Sequence, residues 1–171
     1  RLRGAGLASS LDTRSLWPEK TTEDLPPARA DIVCIGVSTG GPAALSDVIP
    51  KLPAMLTAPV VIVQHMPALF TASLAESLAR KSAVRVVEGA DGMRLEAGVV
   101  YIAPGGWQMR LERLGALASA ALRLTDDPPE NHCKPSIDYL FRSAARVFGA
   151  RALGVIMTGM GQDGLLGLRE M

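Results

Sequence analysis

Three residues of the sequence have the types needed for nucleophilic hydrolysis, and each follows a short apolar segment. Ser38 lies in the segment 36–40, Gly-Val-Ser-Thr-Gly, which has the G-x-S-x-G spacing of a serine exposed between a strand and a helix. His65 and Asp163 follow two other apolar runs. A serine hydroxyl needs a base to remove its proton, and a carboxylate can orient a histidine that does so. We therefore predict Ser38 as nucleophile, His65 as general base and Asp163 as the residue that orients His65.

Each of these residues also has a simpler interpretation. A glycine-rich loop after a strand is at least as often a phosphate or dinucleotide cradle, although the P-loop lysine and the G-x-G-x-x-G spacing do not occur here. A lone histidine at a strand end is more often structural, and Asp163 beside Gly164 could cap a helix that begins at Leu165. The position of all three residues after apolar, strand-like runs favours the joint interpretation.

Strand and helix candidates, which must position these residues, alternate along the chain. Several strand candidates are nearly continuous apolar runs, as is typical of parallel strands buried on both faces. In the segments on either side of Gly115, apolar and polar residues alternate instead, which predicts an antiparallel hairpin. The sequence thus predicts a doubly wound α/β fold, with a mostly parallel sheet, flanking helices and an inserted antiparallel β-hairpin. The predicted strands are 31–36, 59–64, 84–87, 99–103 and 153–158, the helices 42–52, 71–81 and 136–148, and the hairpin 109–124.

Composition excludes several classes of protein. The chain has 171 residues, of which 48% are hydrophobic, enough for one well-buried core. Eighteen Lys and Arg balance seventeen Asp and Glu, without the basic excess expected of a nucleic-acid or anionic-membrane ligand. We find neither an apolar run long enough to span a bilayer nor a secretion signal. We therefore predict a cytoplasmic protein with no nucleic-acid partner and no direct membrane insertion.

The cysteines and the second histidine do not indicate a metal site. Cys34 lies within an apolar strand candidate and Cys133 in a polar loop, a spacing that fits neither a disulfide framework nor a zinc motif. His132 lies in the polar run 126–133, which predicts a surface loop. A site built from both histidines would need each of them near carboxylates, so we predict no metal.

The first thirty residues differ in character from the rest. They mix glycine, serine and proline with scattered charges and show no sustained periodicity, which is typical of a linker. We therefore predict an interdomain linker over 1–30 and a catalytic domain over 31–171. Because the chain opens with Arg1, we expect that it was taken from a longer protein.

Five motifs in the same order give the chain a family resemblance. They are Ile35-Gly-Val-Ser-Thr-Gly-Gly-Pro42, Val63-Gln-His-Met-Pro67, Tyr101-Ile-Ala-Pro-Gly-Gly106, Pro135-Ser-Ile-Asp-Tyr-Leu-Phe141 and Thr158-Gly-Met-Gly-Gln-Asp-Gly164. Together they resemble the catalytic domain of chemotaxis protein-glutamate methylesterases from about Asp31 to the C-terminus. The resemblance implies hydrolysis of glutamate methyl esters on chemoreceptors with release of methanol, and in addition deamidation of receptor glutamines. It implies no cofactor.

The resemblance also assigns residues. It carries over Ser38, His65 and Asp163 as the catalytic triad. It implies supporting and oxyanion-binding positions at Thr39, Gly40 and Met160, and a substrate cleft at Gly41, Gln64, Met66, Pro104 and Gly105. By the same resemblance, the segments 103–106 and 135–141 are scaffold or cleft wall.

Partners follow from the resemblance as well. The expected substrate is the cytoplasmic helical region of methylated chemoreceptors. In the full-length protein an N-terminal receiver domain, phosphorylated by a histidine kinase, should precede the linker and block the cleft until it is phosphorylated. Family members continue past the Asp163 loop, so we expect that the C-terminal part of the domain is missing after Met171. Two alternatives stay open: a hydrolase of the same mechanism in another signalling pathway, and a non-catalytic receptor-binding relative.

Overall fold

The computed structural model describes residues 29–115 and 119–171. The predicted linker 1–30 therefore lies outside the described residues, except for its last two positions. The described elements, in chain order, are β1 (Ile32–Val37), α1 (Gly41–Val48), β2 (Val60–Gln64), α2 (Ala68–Ala79), β3 (Arg85–Glu88), β4 (Val99–Ile102), β5 (Gln108–Leu114), β6 (Ser119–Thr125), α3 (Ile137–Phe148), β7 (Ala152–Ile156) and α4 (Leu165–Glu170).

Five of the strands form one sheet in the order β3-β4-β2-β1-β7. Every neighbouring pair in this sheet is parallel, and Val33 of β1 pairs with both Val60 of β2 and Leu153 of β7. The central strands β1, β2 and β4 are almost wholly buried, which explains their continuous apolar sequences. The predicted parallel sheet is confirmed.

Helices α1 and α2 cover one face of the sheet. Ile35 and Ile62 of the sheet share a buried cluster with Leu45 of α1 and Leu74 of α2. Because successive side chains of a strand point to opposite faces, the neighbouring residue Cys34 belongs to a different cluster.

Helix α3 and the β-hairpin form the second buried cluster. Cys34 lies in it with Phe141 of α3 and Leu122 of β6, and all three are fully buried. Helices thus lie on both faces, and the doubly wound prediction is confirmed.

Strands β5 and β6 form the predicted antiparallel hairpin, with Met109 opposite Leu124. Gly115 has φ 63° at the end of β5, a left-handed conformation that favours glycine. The hairpin forms a two-stranded sheet of its own, while its buried residues pack into the cluster that contains α3. Residues 116–118 lie outside the described part of the chain.

Element boundaries differ from the predictions where the local chemistry changes. Helix α1 gives way to a 3₁₀ turn at Ile49–Lys51, because Pro50 has no N–H to continue the α-helical ladder. Helix α2 begins three residues earlier than predicted, and its first residues are exposed and so carry no apolar periodicity. No helix within the described ranges combines the length and apolarity needed to cross a bilayer.

Candidate active site

The three predicted triad residues follow three adjacent strands. Ser38 comes directly after β1, His65 directly after β2, and Asp163 lies in the loop between β7 and α4. Since β1 is hydrogen-bonded to both β2 and β7, the Ser38 loop lies between the other two at the carboxyl edge of the sheet. The topology itself therefore brings the three side chains to one place.

Backbone hydrogen bonds hold the three loops together. The Ser38 N–H donates to the Thr158 carbonyl over 2.8 Å, and the His65 N–H donates to the Val37 carbonyl over 3.1 Å. The Thr158 hydroxyl donates to the Thr39 carbonyl over 3.0 Å. These hydrogen bonds hold each loop to its neighbour independently of the triad side chains.

The three side chains form a linear chain of contacts. His65 Nδ1 lies 3.1 Å from Ser38 Oγ, and His65 Nε2 lies 2.7 Å from Asp163 Oδ2. Because an ionised carboxylate can only accept, Nε2 carries the ring proton and Nδ1 presents its lone pair to the serine hydroxyl. The two ring nitrogens thus exchange the roles they have in the chymotrypsin arrangement.

Asp163 is held by the N-terminus of α3. Its Oδ2 accepts from the Ile137 N–H over 2.7 Å, and its Oδ1 accepts from the Asp138 N–H over 3.1 Å and from the Ser136 hydroxyl over 2.8 Å. Burial acts to raise the pKa of Asp163, but the hydrogen bond from His65 and those from α3 outweigh it and lower the pKa to about 2. The carboxylate therefore stays charged at neutral pH.

The structure excludes the simpler role considered for Asp163. The residue that caps α4 is Gly164, which has φ 100° and offers no side chain for capping. The carboxylate of Asp163 points instead to the start of α3 and to His65.

Glycines at two positions allow the loops to approach Ser38. Gly40 has φ 77°, a left-handed conformation that turns the chain from the Ser38 loop into α1. A Cβ at Gly159 would lie 2.8 Å from the Ser38 Cβ, so only glycine fits there without displacement of the serine. Thr39 is exposed beside the nucleophile. Within the described residues, the Thr39 and Met160 N–H groups donate to no other group of the protein.

Ser38 and His65 open into a small cleft of about 100 Å³. Its walls include Thr158, Gly159 and Met160, and the Met160 side chain is 87% exposed. Of the predicted supporting residues, Met160 therefore lines the cleft, whereas Thr39 and Gly40 lie on the turn beside it.

The residues predicted to line the substrate cleft lie elsewhere. Gln64 is 2% exposed and lies beneath the site, where its amide nitrogen donates to the Ser38 and His65 carbonyls over 3.0 and 2.9 Å. Gly41 is buried against Gln64, because its first helical turn packs on that amide. Gln64 therefore fastens the nucleophile loop to the base loop.

The other predicted cleft residues pack against the start of α2. Met66 lies against the core shared by α1 and α2. Gly105 approaches the backbone of Met66 and Ala68 so closely that a Cβ would lie 2.5 Å from the Ala68 nitrogen, and Pro104 precedes it in the same loop. This loop thus supports the His65 loop from behind and does not line the cleft at Ser38.

Sequence reasoning missed two polar residues of the loop before α3. The Asn131 amide donates to Asp163 Oδ1 over 3.1 Å and to Asp138 Oδ2 over 2.9 Å. Cys133 Sγ lies 3.6 Å from His65 Nδ1. Burial and the neighbouring Asp163 charge raise the pKa of the Cys133 thiol. The sequence shows a polar run directly before a predicted helix, but not that the start of this helix lies close to Ser38 and His65.

The remaining predictions for single residues agree with the structure. His132 is exposed in its loop. Cys34 is fully buried in β1, and burial raises the pKa of its thiol. It is therefore a small core residue, as the apolar run predicts.

In a parallel α/β fold, a serine that follows an inner strand and contacts a histidine, with an aspartate on the other ring nitrogen, defines a site of the serine hydrolase class. The family model described as CheB methylesterase matches residues 33–171. The chain belongs to the CheB methylesterase family.

Individual relatives support this assignment. A protein from Desulfotalea psychrophila named protein-glutamate methylesterase/protein-glutamine glutaminase is 47% identical over the whole of this chain and 48% of its own length. A Bacillus subtilis protein of the same name is 48% identical over 92% of this chain and 44% of its own length. The chain thus spans about half the length of these curated relatives. The crystal structure of the Thermotoga maritima CheB methylesterase catalytic domain superposes with a TM-score of 0.79 at 40% identity, covering 82% of this chain and 74% of that one.

Proposed function

We propose that this domain hydrolyses methyl esters of glutamate side chains on chemoreceptors, with Ser38, His65 and Asp163 as its catalytic triad. The observation that carries the proposal is the unbroken contact chain from Ser38 Oγ through the imidazole of His65 to Asp163. Family relatives are named for this activity and for glutamine deamidation, so both reactions are proposed here.

The contacts support the following order of proton movements. Ser38 Oγ attacks the ester carbonyl while its proton passes to His65 Nδ1, and Asp163 stabilises the resulting imidazolium through Nε2. Open backbone N–H groups at Thr39 and Met160 bind the oxyanion. Nδ1 then returns the proton to the departing methoxide, so methanol leaves and an acyl-enzyme remains. Water activated by the same nitrogen hydrolyses it. With a glutamine amide the departing group is ammonia.

The shape of the cleft favours an ester on a protein over a free small molecule. Sites for whole small-molecule ligands usually have volumes of roughly 300–1,000 Å³. The cleft beside Ser38 has a volume of about 100 Å³, which suits the end of a side chain. Exposed apolar side chains follow strand ends at the same edge of the sheet and suit contact with a helical protein surface: Leu69, Phe70, Trp107 and Met160.

The proposed setting is the cytoplasm, where the methylated helical region of chemoreceptors is the substrate. The segment 1–30 is proposed to link this domain, residues 31–171, to a receiver domain that a histidine kinase phosphorylates. Because the chain spans about half of its curated relatives, these partners belong to the proposal for the whole protein.

Methanol release from methylated receptor membranes tests the proposal. The wild-type domain should release methanol, and Ser38→Ala should lower the rate by several powers of ten because the triad acts as a unit. Ser119→Ala, a change to an exposed serine on β6, is the matched control and should keep the wild-type rate. Equal rates for wild type and Ser38→Ala would exclude Ser38. If the domain hydrolyses a generic ester but not receptor methyl esters, the result would instead favour the same mechanism in another pathway.

A further inference from the structure

Cys133 places a sulfur atom beside the nitrogen that faces the nucleophile. Its Sγ lies 3.6 Å from His65 Nδ1, while Ser38 Oγ lies 3.1 Å from the same nitrogen. Cys133 reaches this point from a tight turn in which Glu130 and Cys133 exchange two backbone hydrogen bonds. The carbonyl of Cys133 also accepts from the buried Gln108 amide over 3.3 Å, so the backbone that carries the thiol is held by the fold.

The spacing of these atoms suits a tetrahedral metal ion. A zinc ion bound to one imidazole nitrogen and one thiolate holds the two atoms about 3.5 Å apart. Within the described residues, ligand atoms of His65, Cys133 and Asp163 lie within 4.8 Å of one another, and Asp163 contacts Nε2, the ring nitrogen that does not face Cys133. Histidine and cysteine are ligands that thiophilic divalent cations prefer.

Asp163 prepares His65 for such an ion. Its hydrogen bond with Nε2 fixes the ring proton there and leaves the Nδ1 lone pair free. A carboxylate that accepts from the distal nitrogen of a histidine is the usual outer partner of a zinc-binding imidazole. The tautomer that accepts the Ser38 proton is therefore also the tautomer that binds a metal.

We propose that this site binds Zn²⁺ between His65 Nδ1 and Cys133 Sγ, with the Ser38 hydroxyl at a third position, and that the bound ion inhibits hydrolysis. On binding, the S–H bond of Cys133 breaks, its proton passes to the buffer, and a sulfur–zinc bond forms. The Nδ1 lone pair supplies the second bond, and no atom changes its oxidation state. The ion removes the lone pair that would accept the serine proton.

One metal and one control variant distinguish this site from nonspecific metal binding. Mg²⁺ prefers oxygen ligands, so it should not compete at equal concentration. The exposed His132 is adjacent to Cys133 and is a potential ligand for a surface-bound ion, so His132→Asn is the matched control. Asparagine tolerates the left-handed backbone at this position, where φ is 62°.

Metal binding can be measured without any assay of activity. Co²⁺ added under anaerobic conditions should give wild type and His132→Asn the near-ultraviolet absorption of a cobalt-bound thiolate, and Zn²⁺ should displace it. Cys133→Ser should lack this band, since Cys34 is fully buried. Ser38→Ala should retain it, because His65 and Cys133 supply the principal ligands. No band in wild type, or an equal band in Cys133→Ser, would overturn the proposal.

Inhibition is the second measurement, and it rests on the proposed function. With a phosphine reductant that does not chelate zinc, Zn²⁺ should inhibit wild type and His132→Asn at the same concentration. Each variant is normalised to its own metal-free rate. Cys133→Ser should need at least about tenfold more Zn²⁺, since even outer partners of metal sites contribute 10- to 100-fold to affinity. An unchanged half-inhibitory concentration would overturn the proposed inhibition. Loss of hydrolysis in every sample would contradict the proposed function and leave the cobalt result to decide on binding.

Discussion

His65 Nε2 lies 2.7 Å from Asp163 Oδ2, and the same carboxylate accepts two backbone N–H groups from the start of α3. The helix N-terminus and the imidazole thus share one anion, which ties the orientation of His65 to the position of α3. The geometry lets Asp163 orient the proposed base, and it joins the loop between β7 and α4 to the start of α3.

Replacement of Asp163 by asparagine should affect both roles, and kcat reports on the first of them. The amide group of the new side chain would present a donor where His65 also donates, so the ring would lose the tautomer with a free Nδ1. We expect Asp163→Asn to lower kcat by about 10⁴-fold, as the corresponding change does in serine proteases. The measurement is methanol release at saturating substrate, with folding checked by circular dichroism. A folded variant that loses less than tenfold would contradict the assigned role.

Acid stability should depend on the same carboxylate. The pKa of Asp163 falls from its ordinary 3.8 to about 2 in the folded domain. Between these values the unfolded chain binds more protons than the folded one, so the stabilisation is present above about pH 4 and is lost as the pH falls towards about 2. This difference in pKa corresponds to about 2 kcal/mol in the free energy of unfolding. The free energies of unfolding of wild type and Asp163→Asn, measured in urea between about pH 2 and 6, should converge at the acid end. Parallel profiles would contradict this prediction.

Asn131 should affect catalysis through its hydrogen bonds to Asp163 and Asp138. Asn131→Gly removes the amide that donates to Asp163 Oδ1, while glycine accepts the left-handed backbone, where φ is 52°. Because Asn131 is exposed, we expect a modest loss in kcat of about three- to tenfold, with KM unchanged. His132→Gly in the same turn is the control and should keep the wild-type kcat. Equal effects of the two changes would indicate a loss of the turn instead.

A methyl group at Gly159 should displace the nucleophile. The added Cβ of Gly159→Ala would lie 2.8 Å from the Ser38 Cβ, so the serine or the Thr158 loop must shift. Misplacement of a reacting group by about 1 Å can lower the rate about 100-fold. We expect a loss in kcat of that order with little change in the thermal midpoint. A wild-type kcat would show that the two loops can separate without consequence for Ser38.

The fold could be predicted because its signals are local. The continuous apolar sequences of β1 and β2 follow from burial on both sheet faces, and Gly115 marks the turn of the hairpin. The start of α2 could not be predicted in the same way, because its first residues are exposed and Pro67 extends the chain directly before them. Exposure removes the periodicity on which such predictions depend.

The site was predictable only where residue type and strand position coincide. Ser38, His65 and Asp163 follow strands that the sequence reveals. Cys133 reaches the site through a turn with positive φ at two non-glycine residues, a conformation that residue type alone does not predict. The family resemblance placed Gln64 in the cleft, whereas its amide lies below the site and holds two carbonyls. Such roles depend on distances between segments far apart in sequence.

The central claim is that these contacts make Ser38 a nucleophile, and phosphonate labelling followed by peptide mass spectrometry tests it most directly. Wild type should form one adduct, on Ser38, and His65→Gln and Asp163→Asn should slow its formation by several powers of ten. The reagent needs no receptor, so the result does not depend on the substrate proposed for the domain. An adduct on another residue, or labelling of Ser38 at the wild-type rate in His65→Gln, would contradict the account.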